Sequence, residues 1–332
     1  MHKTFIVLFL ILGIKICSAQ SSQIIVHDPV AIEAEGKYYI FGTGPGIESA
    51  VSEDKIHWIK YKSPLFDPMP EWFLKEVPRF NGHLWAPDIS FHNGKYYLYY
   101  SVSSFGSNLS CIGVATNVTL DRDSKNYKWI DHGPVIKSVP GRDNWNAIDP
   151  NLVYDEKNQP WLAFGSFWGG LKIVKLNEDL VSVAQPEEWH TIARREQNCY
   201  FADTSAGDAA IEAPFIFKEG DWYYLFVSFD LCCRGPQSTY NVRVGRSKSV
   251  TGPYIDRDGI ELNEGGGTLV IEGDGENYYA IGHNSVYHFD GKDYMYSHGY
   301  DIKDHHGIPK LLVHRVDWDE EGWPVLTELK IK

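Results

Sequence analysis

WAPDISFHNGKYYLYYSVS, Trp85 to Ser103, carries the pattern on which the fold turns. It opens on a tryptophan and a proline-flanked acid, runs apolar, breaks at Asn93-Gly94 and resumes as an aromatic-rich strand, as a β-hairpin does. The same grammar recurs in HDPVAIEAEGKYYIFGTG (His27–Gly44), NAIDPNLVYDEKNQPWLAFGSFW (Asn146–Trp168), IEAPFIFKEGDWYYLFVSFD (Ile211–Asp230) and GHNSVYHFDGKDYMYSHGYD (Gly282–Asp301). The turns at Gly36, Gly94, Gln159, Gly220 and Gly291 are separated by steps of 58, 65, 61 and 71 residues. Each step is long enough for one four-stranded sheet, and sheets repeated radially make a β-propeller of about four to eight blades. Five repeats predict an all-β, five-bladed propeller. Cys111–Thr116 and Tyr240–Ser247 read as third strands, while Trp58-Ile59, Trp129-Ile130 and Gly252-Pro253-Tyr254 read as openings of fourth strands.

The chain has 332 residues, of which 14% are aromatic, with 30 glycines and 17 prolines; such a composition suits short strands and many turns better than long helices. No linker or low-complexity segment divides it, so residues 24–332 are expected to form one domain. Met1-His2-Lys3, the apolar run Thr4–Ile14, and Ser18-Ala19 have the layout of a secretory signal, residues 1–19, too short in its apolar part to span a bilayer. This predicts a protein exported to the periplasm or the medium. Removing Lys3 and Lys15 leaves 29 basic against 44 acidic residues, a surface that repels nucleic acid and other polyanions. Of the cysteines beyond the signal, Cys111, Cys199, Cys232 and Cys233, the last two are awkward disulfide partners because neighbouring Cα atoms lie only about 3.8 Å apart. They are either bonded under strain or free. Asn108 and Asn117 fit the glycosylation sequon.

In a propeller the inner strands surround one axis, and the same end of each opens onto a shared pocket. Aligned on their turns, these strands begin with Asp28-Pro29, Pro87-Asp88, Asp149-Pro150, Glu212-Ala213-Pro214 and His283-Asn284. A carboxylate at the start of a core strand is costly unless solvated or partnered, and a pocket mouth provides both. Asp-Pro also shapes turns by itself, but acids at equivalent positions of several repeats point to a site. Two carboxyls facing one pocket, one protonated and one ionised, are the equipment for cleaving a glycosidic bond. Trp85, Phe105, Trp145, Phe167 and Trp168 are candidate platforms for the apolar faces of sugar rings.

HDP at 27–29, WAPDI at 85–89, NAIDPN at 146–151, FGSFW at 164–168, EAP at 212–214 and GHN at 282–284 together resemble family 43 glycoside hydrolases. YYSVSSFGS at 99–107 and the Cys232-Cys233 pair followed by Ser238-Thr239-Tyr240 bring the resemblance nearest to endo-1,5-α-L-arabinanases. It extends from about Ile24 to WDEEGWPVL at 318–326. The resemblance implies an inverting hydrolase of internal α-1,5 linkages in plant cell-wall arabinan, acting as a monomer. Asp28 would be the general base, Glu212 the general acid, and Asp149 the group that orients Glu212 and raises its pKa. Trp85, Asp88, Phe105, Asn146, Ser166 and Trp168 would bind substrate. It also implies calcium or another cation near the axis at His283; calcium prefers oxygen ligands, so water would supply most of its shell. The alternatives are an exo-acting arabinofuranosidase or β-xylosidase of the same family, and a sugar-binding propeller without catalysis.

Overall fold

The computed structural model describes residues 24–202 and 205–329; the expected signal segment and residues 330–332 lie outside them. Five antiparallel sheets stand around one axis, each built from its innermost strand outward. Blade 1 comprises Val30–Ala34, Lys37–Gly42, Glu48–Ser52 and Trp58–Lys60. Blade 2 comprises His83–His92, Lys95–Val102, Ser110–Asn117 and Ile130–Ser138, with Gly44–Pro45 added to its inner edge. Blade 3 holds Asn151–Tyr154, Pro160–Phe164, Leu171–Lys175 and Trp189–Ala193. Blade 4 holds Ile211–Glu219, Trp222–Phe229, Asn241–Ser247 and Thr268–Glu272, and blade 5 Tyr278–Phe289, Lys292–Asp301, Pro309–Trp318 and Pro324–Glu328. The expectation of five blades is met.

Local chemistry explains the hairpins. Glu35-Gly36, Asn93-Gly94 and Asp290-Gly291 each place both turn residues at positive φ, which suits a type I′ turn and matches the right-handed twist of the flanking strands. Second strands such as Lys95–Val102 and Trp222–Phe229 are packed by a neighbouring blade on each face, so they read as aromatic runs without alternation. One apolar cluster fills each junction. Tyr39 and Phe41 meet Leu98 and Tyr100 between blades 1 and 2, and Tyr38 and Ile40 meet Tyr294 and Tyr296 where blade 5 returns to blade 1. Ile25 seals that return by bridging Lys310.

One expectation is corrected here, and one motif is set aside. Gly252-Pro253-Tyr254 does not open a fourth strand: Tyr254 is buried in a loop whose Ile255 bridges Arg246 and Glu261, and blade 4 finds its outer strand at Thr268–Glu272. Both sequon asparagines are buried, and Asn108 Nδ2 donates to the carbonyls of Asp143 and Trp145, which leaves no room for a glycan there.

Candidate active site

Each inner strand enters the axis through one left-handed residue. These are Asp28 (φ 53), Ala86 (φ 39), Asp149 (φ 59), Ala213 (φ 56) and His283 (φ 47), followed by proline in the first four cases and by Asn284 in the last. The kink frees the residue's N–H from the sheet ladder, and a buried donor needs a partner. In all five blades the preceding blade supplies it. Asp28 N donates to His298 Nδ1 (3.2 Å), Ala86 N to Thr43 Oγ1 (2.8 Å), Asp149 N to Ser101 Oγ (3.0 Å), Ala213 N to Asp149 Oδ2 (3.1 Å), and His283 N to Ser228 Oγ (2.9 Å). This ring of bonds ties neighbouring blades together and brings three of the kinked residues, Asp28, Asp149 and His283, to one cavity of about 660 Å³.

Asp28, Asp149 and Glu212 all line that cavity. Asp28 Oδ1 lies 2.8 Å from His27 Nδ1 and 3.1 Å from His283 Nδ1, and Oδ2 accepts a bond from Thr43 Oγ1. Burial alone would raise the Asp28 pKa, but the imidazoles of His27, His283 and His298 outweigh it and hold the carboxyl well below the ordinary range. Asp28 is therefore ionised. The same contact raises His27, against the effect of burial, while burial lowers His283 and His298.

Glu212 and Asp149 have the opposite bias. Burial raises both, and for Asp149 the charges of Glu212 and Asp28 add to it. Glu212 Oε2 accepts from Ser166 Oγ and Oε1 from Tyr240 Oη, each at 2.8 Å; these two bonds pull its pKa back down without cancelling the rise. The two carboxyls thus retain a proton as a pair above the usual carboxylate range. One ionised acid and one proton-holding pair across a pocket can activate water on one side of a linkage and protonate the leaving oxygen on the other.

Of the residues expected to bind substrate, Trp85, Phe105, Asn146, Ser166 and Trp168 line the cavity. Phe105 stands 80% exposed at the rim. Phe167 lines the cavity too, whereas Trp145 packs against Phe164 and Trp189 in the core between blades 2 and 3. Asp88 is displaced from the expected site. The left-handed residue of blade 2 is Ala86, so Asp88 falls two positions further along and is buried, accepting from Leu152 N (2.8 Å) and Asn151 Nδ2 (3.3 Å). Its equivalents do the same work elsewhere: Asn151 Oδ1 accepts from Ile216 N, and Ser285 Oγ donates to Pro29 O. Asp88 is an inter-blade staple.

The register also shows that Glu212 precedes the left-handed position by one residue, in line with Trp85 and His27. Sequence reading missed Thr43, Tyr240, Ser228, His298 and Tyr300, all from second or third strands or the segments that border them, because they carry no motif of their own. One signal for Tyr240 exists in Gly282, where any side chain would collide with the Tyr240 ring.

Among the described residues, the group able to bring three ligand atoms to one metal ion is His27, Asp28 and His298. Two imidazoles and one carboxylate are a poor match to calcium, which takes oxygen ligands. His298 Nδ1 already accepts the Asp28 N–H, and Asp28 is bonded by Thr43. These residues do not fit a calcium ion held by protein atoms, and no step below passes through one.

Comparison with known proteins agrees with this geometry. The profile of Glycosyl hydrolases family 43 matches residues 22–324. The extracellular exo-α-(1→5)-L-arabinofuranosidase of Cellvibrio japonicus is 50% identical over 315 residues, 95% of this chain and 89% of that protein. The extracellular endo-α-(1→5)-L-arabinanase 1 of Bacillus subtilis is 41% identical over 92% of this chain and 88% of its own. Among solved structures, the Cellvibrio cellulosa α-L-arabinanase complexed with arabinohexaose superposes with a TM-score of 0.89 at 51% identity, covering 92% of this chain and 96% of that one.

Proposed function

The chain belongs to glycosyl hydrolases family 43, and from that membership and its own electrostatics we propose that it is an inverting hydrolase of α-1,5-linked L-arabinan. The observation that carries the proposal is the split among three acids facing one cavity: Asp28 ionised, Glu212 and Asp149 holding a proton. Asp28 takes a proton from water as the water attacks the anomeric carbon. Glu212 delivers a proton to the departing oxygen, and Asp149, bonded to Ala213 N beside Glu212, fixes the acid's backbone and shares its proton. Direct attack by water inverts the anomeric configuration.

The position of attack has two readings. The motifs suggested cleavage of internal linkages, which the endo-acting relative at 41% identity supports; the relative at 50% identity is named as exo-acting, and that favours release from chain ends. We place the exo reading first on this difference in similarity. Linear arabinan digested with the protein separates them by chromatography, a single short product for exo action and a ladder of oligomers for endo. No hydrolysis of arabinan at all would defeat both and leave a sugar-binding propeller. NMR of the first-formed products reports the anomer, β for inversion.

The relatives named above as extracellular support export, and no helix of the described residues is long and apolar enough to cross a membrane. All three acids come from one chain, so the proposed unit is a monomer. A cation near His283 remains part of the proposal only as an ion held largely through water, for the reasons given above.

A further inference from the structure

The segment after blade 4's second strand carries a disulfide between the adjacent Cys232 and Cys233, which resolves the alternatives left open for that pair; Cys111 and Cys199 are free. Both bonded cysteines line the cavity, yet neither takes part in the chemistry proposed above. Cys233 N donates to Tyr300 Oη at 2.8 Å, and Tyr300, from blade 5's second strand, is buried.

The protons around Tyr300 can be assigned from hydrogen bonds alone. His298 Nδ1 accepts the Asp28 N–H, so the His298 proton sits on Nε2, 3.3 Å from Tyr300 Oη. With Cys233 N–H on one lone pair and His298 Nε2–H on the other, the tyrosine oxygen has no acceptor capacity left. His27 Nε2, 3.0 Å away, takes the phenol proton when that nitrogen is bare, with the Ser238 hydroxyl also beside the tyrosine oxygen. His27 then carries its proton on Nδ1, which lies 2.8 Å from Asp28 Oδ1 in a close ion-pair contact without hydrogen-bond alignment. Hydrogen bonds run from the disulfide segment through Tyr300 to His27, and the His27 imidazole packs at ion-pair distance on Asp28.

We propose that the Cys232–Cys233 disulfide is a positioning element for the base, holding the Cys233 amide on Tyr300 and, through Tyr300 and His27, orienting the Asp28 carboxylate. Cys233 has a φ of 65, a region that side-chain-bearing residues rarely adopt. The covalent ring ties it there. Once the ring is opened, Cys233 is free to return to negative φ, which turns its N–H away from Tyr300. The rest of the loop is held independently: Thr239 N donates to Leu231 O, and Gly235 packs back to back with Gly307.

The inference rests on the reading of Asp28 as base, and the test keeps the two apart. Steady-state kinetics on linear arabinan are compared for wild type, Asp28→Asn, Tyr300→Phe, the double variant Cys232→Ser/Cys233→Ser, and the triple variant combining it with Tyr300→Phe. Loss of an orienting partner is expected to cut kcat by roughly ten- to hundredfold, with KM within about twofold of wild type for both single-site sets. The triple variant should lose no more than the worse of its parents, because both interrupt one chain. Should the serine variant fail to fold, the native enzyme is treated with a phosphine, which takes up oxygen from water while the two sulfurs gain two electrons and two protons. The same loss of kcat is then expected, reversed on reoxidation; Cys111 and Cys199 are already thiols and do not respond. Unchanged kcat after opening the disulfide, or a loss confined to KM, overturns the proposal even if Asp28→Asn is inactive. An active Asp28→Asn overturns instead the reading beneath it.

Discussion

Asp28 and Asp149 occupy the same backbone position in blades 1 and 3, each left-handed, each before a proline, each giving its N–H to the preceding blade, and their carboxyls are driven in opposite directions. The difference lies in the neighbours. Three imidazoles and a threonine surround Asp28, whereas Asp149 has Glu212 for company and a single backbone bond, from Ala213 N, on its carboxylate. Fivefold repetition supplies the positions, and the side chains beside each acid, above all His27 and His283 at the entries of blades 1 and 5, decide which one ionises.

The pH profile should expose the proton-holding pair. Glu212 faces Ser166, Tyr240, Asp149, Asp28 and His27, and the bonds from Tyr240 and Ser166 lower its pKa against burial. Ser166→Ala removes one of them. The alkaline limb of kcat/KM, where the pair loses its proton, is expected to move to higher pH; the acid limb, set by ionisation of Asp28, should stay in place. A limb that moves to lower pH would contradict the assignment.

Stability should carry the signature of Asp88. Burial pushes this carboxyl up to about 6, against the bonds from Leu152, Asn151 and Ile89. A raised folded-state pKa stabilises the fold below the unfolded value, near 4, and that contribution is lost as pH rises through about 6, an effect of about 3 kcal/mol. Asp88→Asn does not titrate. Relative to wild type it should gain about 2.5 kcal/mol between pH 4 and pH 7.5 in urea denaturation, and a constant difference across that range would refute the placement of the charge.

Phe105 offers a different kind of test, since it is exposed at the rim and packs against no core cluster. As a platform for a sugar ring it should contribute about 0.5–1.5 kcal/mol. Phe105→Ala is expected to raise KM for arabinan roughly two- to tenfold and to leave the melting temperature unchanged. Unaltered KM would remove Phe105 from the binding surface.

Much of this was legible in the sequence because propeller blades repeat their hairpins, and turns with glycine in four of the five blades, followed by aromatic-rich strands, mark them. Asp28, Asp149 and Glu212 were readable for the same reason: each opens an inner strand one or two residues before a proline. Asp88 shows the limit. Its motif, Pro-Asp, looks like the others but reverses their order, and two residues along a strand turn a pocket group into a staple between blades. Thr43, His298 and Tyr300 could not be found by motif at all, since their roles depend on which blade stands next to which, and the Gly252-Pro253-Tyr254 turn copied a strand opening that the following loop does not use.

The division of labour between Asp28 and Glu212 is tested most directly by varying the leaving group. From nitrophenyl α-L-arabinofuranoside the nitrophenolate leaves without a proton, whereas the sugar oxygen released from arabinan needs one. Glu212→Gln should lose roughly 10²- to 10⁴-fold on arabinan and keep most of its turnover on the nitrophenyl substrate, while Asp28→Asn should lose both activities alike. Equal losses on the two substrates for Glu212→Gln, or survival of either activity in Asp28→Asn, would contradict the account.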